Sequence, residues 1–145
     1  MKSDWQIVVI LIRFLILEKE GAMKFEIKWK RAYEKIGEAD GFRILVDKLW
    51  PRGLKKEDAK IDYWAKIITP SKELRQNYHK GIIDFENFSE KYRKELEENS
   101  DFKEFEGIIL EELKKGNVTM VYASRTPELS HIPVLKEFIE EKLGK

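Results

Sequence analysis

The sequence contains no cysteine. That excludes a disulfide framework, a thiol nucleophile and any cysteine-ligated metal. Histidine is scarce too, His79 and His131 being the only two, which leaves too few ligands for a zinc site. An excess of one charge is missing: the formal net charge is +1, so no global field points to nucleic acid or to an anionic membrane as a partner. Residues 7–17 are almost wholly apolar, interrupted by Arg13, and fall short of the roughly 20 residues that a bilayer-spanning helix needs. A phosphate-binding P-loop, G-x-G-x-x-G, H-E-x-x-H and G-x-S-x-G are all absent. The cofactor is therefore unknown, and no metal is expected.

What is present is charge in balance. Asp, Glu, Lys and Arg make up 38% of 145 residues, well above the usual quarter. Lys and Glu supply most of it, a composition that suits surface ion-pair networks in a thermophile and equally a Lys/Glu-rich helical surface in any organism. A hydrophobic fraction of 42% supports a single globular domain with its own core. A cytoplasmic, prokaryotic protein is the expectation.

Residues 1–22 differ in composition from the rest. No small-x-small cleavage pattern follows the apolar run, so a signal peptide fits poorly. Met23 is a candidate natural start, since the codons of Glu20-Gly21 can spell a purine-rich ribosome-binding sequence just upstream. The domain is then residues 23–145. If residues 1–22 belong to the protein, residues 7–17 form an added strand or helix, or an oligomer contact, because an exposed apolar patch of that size is a liability.

After Met23 the patterning alternates between strand and helix. Phe25, Ile27 and Trp29 alternate with charged residues, the period of a half-buried strand. Residues 36–41 read as a turn-rich loop, and residues 42–46 as a buried strand. Residues 54–68 are ambiguous between helix and strand, with helix favoured by the spacing of Ile61, Trp64, Ala65 and Ile68. Thr69-Pro70 reads as an N-cap with proline in the first helical position, opening a helix to about Tyr78. Asp84 caps a helix whose face is Phe85, Phe88, Tyr92 and Leu96. Asp101 and Glu104 form a capping-box-like pair ahead of Phe102, Phe105, Ile109 and Leu113, with Gly116 at the end. A short strand at 118–122 and a helix over 130–143, with Pro133 in its first turn, close the chain. Strands separated by helices predict an α/β fold: a three-layer sandwich with a small, mainly parallel sheet flanked by helices.

Ligands of open parallel sheets bind beyond the carboxyl ends of the strands. Two such ends are legible, Asp47-Lys48-Leu49-Trp50-Pro51-Arg52-Gly53 and Ala123-Ser124-Arg125-Thr126-Pro127 followed by Ser130 and His131. Asp47 is the candidate general base. Arg52, Arg125, Ser124, Arg43, Trp50, Ser130 and His131 are the candidate ligand-binding residues, for a small anionic ligand. The alternative for Asp47 and Arg52 is a structural ion pair; for Trp50, a place in the core or a pocket wall; for His131, a structural histidine.

The block Asp-Gly-Phe-Arg-Ile-Leu-Val-Asp-Lys-Leu-Trp-Pro-Arg-Gly at 40–53 resembles the signature of the domain-of-unknown-function family 488, in its short YeaO-like branch. Trp64, Pro70-Ser71 followed by Leu74-Arg75, Phe88, Tyr92, Glu95, Leu96, residues 118–125 and Val134-Leu135 add to the likeness, which spans about residues 24–143. The resemblance implies an α/β fold in a small prokaryotic protein and no established reaction. It also marks departures: Thr126 stands where relatives usually carry an acidic residue, Leu129-Ser130 where they carry His-Asn, and Lys48 replaces the usual Arg. Three functions stay open: an enzyme or degenerate enzyme acting on a phosphorylated or nucleotide-like molecule, a non-catalytic binding module, and an interaction protein in which the Trp-Pro-Arg-Gly block is structural.

Overall fold

The computed structural model describes residues 7–8, 11–12 and 25–144. Ile7, Val8, Leu11 and Ile12 are helical and exposed; the rest of the expectation for residues 1–22 lies outside the described residues.

Four strands form one all-parallel sheet among the described residues: β1 Ile27–Arg31, β2 Phe42–Leu45, β3 Tyr63–Trp64 and β4 Val118–Tyr122, in the spatial order β1-β4-β2-β3. Among the described residues from 25 on, five α-helices join and cover them: α1 Lys56–Ala59, α2 Lys72–His79, α3 Phe85–Glu98, α4 Phe102–Leu113 and α5 Ile132–Leu143. The architecture is the expected α/β sandwich. No helix among the described residues is long and apolar enough to cross a membrane.

Strand alternation divides the core. Ile44, Val46, Val118 and Met120 project from one face into the main cluster, where Leu74, Tyr92, Phe105, Ile109, Leu135 and Phe138 bring in α2 to α5. Leu45 and Val121 project from the other face, where Ala32, Trp50, Leu54, Ile61 and Trp64 form a thinner layer of loop and short elements. Each fully buried Leu, Ile or Phe contributes about 1.5–3 kcal/mol of apolar burial. The strongly patterned elements formed where the sequence placed them. Asp84 caps α3 through the Asn87 N–H, and Pro133 sits in the first turn of α5.

Three local expectations need correction. Residues 54–68 are not one helix: α1 stops after four residues, where Lys60 turns left-handed at φ 50°, and Tyr63–Trp64 pairs with β2 instead. The cap of α2 is Ser71, not Thr69; its hydroxyl oxygen accepts from Leu74 N and its own O–H donates to Glu95. The Asp101–Glu104 capping box does not form, because Asp101 already has helical torsions, and its N–H donates to Asn99 Oδ1.

Gly41 is required where it stands. Its φ is +66°, and a Cβ there would lie 1.9 Å from the Asn117 carbonyl oxygen. That close approach lets Phe42 N donate to Asn117 O at 2.9 Å and start the β2–β4 ladder.

Candidate functional site at the carboxyl ends of β2 and β4

β2 and β4 are neighbours in the register Leu45↔Val121. Their following loops therefore leave the sheet side by side, as the sequence reading requires. Val46 N continues the ladder onto Val121 O, and Asp47 comes next.

Asp47 ties three segments together. Its Oδ2 accepts from Ala123 N at 2.8 Å, linking the end of β2 to the end of β4. Its backbone oxygen accepts from Trp64 Nε1 at 2.7 Å, linking β3. Its Oδ1 lies 3.4 Å from His131 Nε2 at the start of α5. His131 Nε2 is closer still to Val46 O, at 2.7 Å. A carbonyl only accepts, so Nε2 carries the proton and the neutral ring keeps its lone pair on Nδ1. The Tyr92 ring meets His131 edge-on at 5.9 Å, and the Tyr92 hydroxyl donates to Ile68 O at 2.6 Å.

Burial sets the protonation of this group. It pushes the Asp47 carboxyl up from its ordinary value, against the His131 charge and the Ala123 N–H. It pushes His131 down, against Asp47 and the Val46 carbonyl, with the Arg75 guanidinium adding to the fall. Tyr92 is pushed well up by burial and by the nearby Glu95 and Asp47 carboxylates. His131 is thus held neutral next to a carboxylate that burial disfavours.

The remaining candidates divide between this edge and other places. Ser130 Oγ donates to Pro127 O and accepts from Ile132 N, so it organises the first turn of α5. Ser124 Oγ accepts from Thr126 N within its own loop. Arg52 and Arg125 are exposed at this edge, and neither guanidinium has a hydrogen-bond or ion-pair partner among the described residues. Only the Arg52 backbone is engaged, its oxygen accepting from Tyr33 OH. Trp50 belongs to the thinner core layer: its indole N–H donates to Leu54 O, and its ring meets Trp64 edge-on at 5.4 Å. Arg43 lies apart from the others, buried near the amino end of β2, where Nε donates to Ala59 O and NH1 to Asp40.

The structural alternative for Asp47, a pairing with Arg52, is not what the fold builds; the partner is His131, with the Ala123 N–H. Sequence reasoning missed that pairing and the roles of Tyr92, Trp64 and Arg75. Among the described residues no group of three or more His, Cys, Asp or Glu is placed to hold a metal ion.

A family model described as the inactive DUF488-N3 subclade matches residues 26–145. Over 114 residues the chain is 41% identical to the uncharacterized protein YeaO of Escherichia coli (strain K12), covering 78% of this chain and 96% of that protein. It is 35% identical over 113 residues to the uncharacterized proteins Mb3100c of Mycobacterium bovis and Rv3073c of Mycobacterium tuberculosis, covering 78% of this chain and 92% of each. No solved structure matches. The chain, with its Asp47 clamp and Trp-Pro-Arg-Gly loop, belongs to the domain-of-unknown-function family 488, in its YeaO-like branch.

Proposed function

We propose that this protein binds a small anionic ligand, phosphorylated or nucleotide-like, without turning it over, and that Arg52 and Arg125 grip the anion. One contrast carries the reading. The acid–base pair at the strand ends is engaged by main chain, Asp47 by the Ala123 N–H and His131 by the Val46 carbonyl, whereas the two exposed guanidinium groups in the loops after β2 and β4 have no partner among the described residues. A planar guanidinium suits bidentate contact with phosphate or carboxylate. Exposed Leu49, Leu129 and Tyr33 occupy the same loops and the end of β1, and offer apolar surface to the uncharged part of such a ligand. The description of the matching family model as inactive agrees with binding without turnover.

A thermal-shift panel of nucleotides and sugar phosphates, followed by equilibrium dialysis of the best ligand, tests this. Arg52→Ala and Arg125→Ala are each expected to weaken binding by about 1.5–3 kcal/mol, the range for a charged hydrogen bond. Arg52→Lys does not restore it if the contact is bidentate. Stability changes by less than about 0.5 kcal/mol in each, as for other surface positions. If no anion in the panel binds, or if Arg52→Ala unfolds the chain, the reading is wrong. If the bound ligand is consumed, and Asp47→Asn stops its consumption, an enzymatic function replaces it.

A further inference from the structure

The sheet face opposite α2 to α5 carries a second cluster of charge, separate from the loops just described. The registers Lys28↔Thr119 and Arg43↔Thr119 set Lys28, Thr119 and Arg43 in one row across β1, β4 and β2. Residues in register project from the same face, and Lys30, two positions along β1, shares it. Asp40, just ahead of β2, is the carboxylate that serves this row. Its Oδ1 lies 3.0 Å from Lys30 Nζ and its Oδ2 2.7 Å from Arg43 NH1. Thr119 Oγ1 donates to the Asp40 backbone oxygen at 2.6 Å and fixes that turn to β4. Asp62 meets only the Arg43 backbone: its carboxylate accepts from Arg43 N and its own N–H donates to Arg43 O.

This arrangement leaves donors over. Arg43 is 3% exposed, and its NH2 has no partner among the described residues, although NH1 and Nε of the same guanidinium are both engaged. An unsatisfied charged donor in a buried setting is costly. NH2 shares the tip of the fork with NH1, the end that meets Asp40 and, through it, Lys30. Lys28 has no ion-pair partner among the described residues. Two cationic side chains therefore share one carboxylate, and a third, Lys28, stands on the same sheet face. The cluster is open on one side: Lys30 is 21% exposed. Gly37 lines that side without a side chain, and a Cβ there would lie 3.9 Å from Lys30 Nζ and 3.5 Å from Asp40 Oδ1.

We propose that Lys28, Lys30 and the buried Arg43 form a site for a small oxyanion of phosphate size on this sheet face, with Asp40 holding the guanidinium in position. The oxyanion accepts from Arg43 NH2 and from the lysine ammonium groups, and so satisfies the donors that the fold leaves over. The site is independent of the one at Arg52 and Arg125.

The test is a titration of the full chain with inorganic phosphate at fixed ionic strength, against chloride, read by thermal shift and by phosphorus-31 line broadening. The line broadening reports binding even where a variant is less stable. Phosphate is expected to raise Tm and to broaden in the parent and in the Arg52→Ala/Arg125→Ala double variant alike. Lys28→Ala is expected to weaken phosphate about tenfold, the loss of one charge-assisted contact. Gly37→Asp, at a position whose extended φ of −111° accepts a side chain, is expected to abolish phosphate binding by placing a carboxylate at the mouth. Binding that disappears in the double variant while Lys28→Ala and Gly37→Asp bind normally overturns the assignment. So does a parent chain that responds to phosphate no more than to chloride.

Discussion

Asp47→Ala and Asp47→Asn together measure what the carboxylate at the end of β2 does for the fold. Asp47 is 17% exposed and accepts from Ala123 N at 2.8 Å. Truncation to Ala leaves that N–H without its acceptor, which costs about 1–3 kcal/mol for a buried donor. Ala123 is only half-buried, so the lower part of that range applies. The same truncation also removes a carboxylate that burial disfavours, which offsets part of the loss. Asp47→Ala should therefore destabilise by about 1–2 kcal/mol. Asn keeps an acceptor oxygen and carries no charge, so Asp47→Asn should stay within about 0.5 kcal/mol of the parent near neutral pH. The pH dependence has a defined sign. Burial lifts the folded-state carboxyl above its ordinary value of 3.8. Its favourable contribution is therefore complete below that value and is lost as pH rises through the folded pKa. Relative to the parent, Asp47→Asn should look better at neutral pH than near pH 4. Urea denaturation of the three proteins at both pH values decides the matter. An Asp47→Ala variant as stable as the parent, or an Asn variant as damaged as Ala, would refute the clamp.

Phe105→Ala and Leu135→Ala, both fully buried, should cost about 3–5 and 2–5 kcal/mol, read from denaturation midpoints; a loss below about 0.5 kcal/mol would mean that neither the helix face nor its neighbours are as described. Gly41→Ala should cost more than about 3 kcal/mol, or prevent folding, because it combines positive φ with a clash against Asn117 backbone; circular dichroism and expression yield report it. Burial depresses His131 below its ordinary value of 6.5, so the unfolded chain takes up its proton first. Stability should fall as pH drops through 6.5 towards the folded pKa, by up to about 1.4 kcal/mol per unit, and His131→Gln should flatten that slope in a pH series of denaturation curves.

Much of this fold was legible in the sequence because its signals are local. β4, α3 and α5 are written in continuous apolar periods with a cap or a proline at one end, and they form at the expected places. Residues 54–68 were not, because β3 is only two residues long and exists by virtue of its pairing with β2. The stop after α1 comes from a lysine in the left-handed region, which no glycine or asparagine announces. That the loops after β2 and β4, carrying Asp47 and Arg125, leave the sheet as neighbours was legible from the apolar runs that precede them. The partner of Asp47 was not, since Asp47 and His131 meet only after β2, β4 and α5 have assembled. Arg43 follows the strand alternation to the same face as Leu45. Its aspartate, three residues upstream across Gly41, was the available sign that it would be held near the amino end of the strand rather than offered at the carboxyl end.

The strand order has a consequence for the birth of the protein. β4 lies between β1 and β2 and is hydrogen-bonded to both, yet it is the last strand in the chain. As the polypeptide is synthesised from its amino end, β1 and β2 have no common neighbour until residues 118–122 arrive. Until then the nascent chain holds β1 with no partner, β2 paired only with the two residues of β3, and four helices, α1 to α4, without the complete sheet that they pack against. The alternating lysines of β1 make that edge a poor template for other chains, a protection that matters most before the sheet exists. Sheet closure is then a single late event over a long sequence separation, the kind of step that slows folding. It commits the central row of hydrogen bonds, the Asp47 clamp and the docking of α5 almost at once.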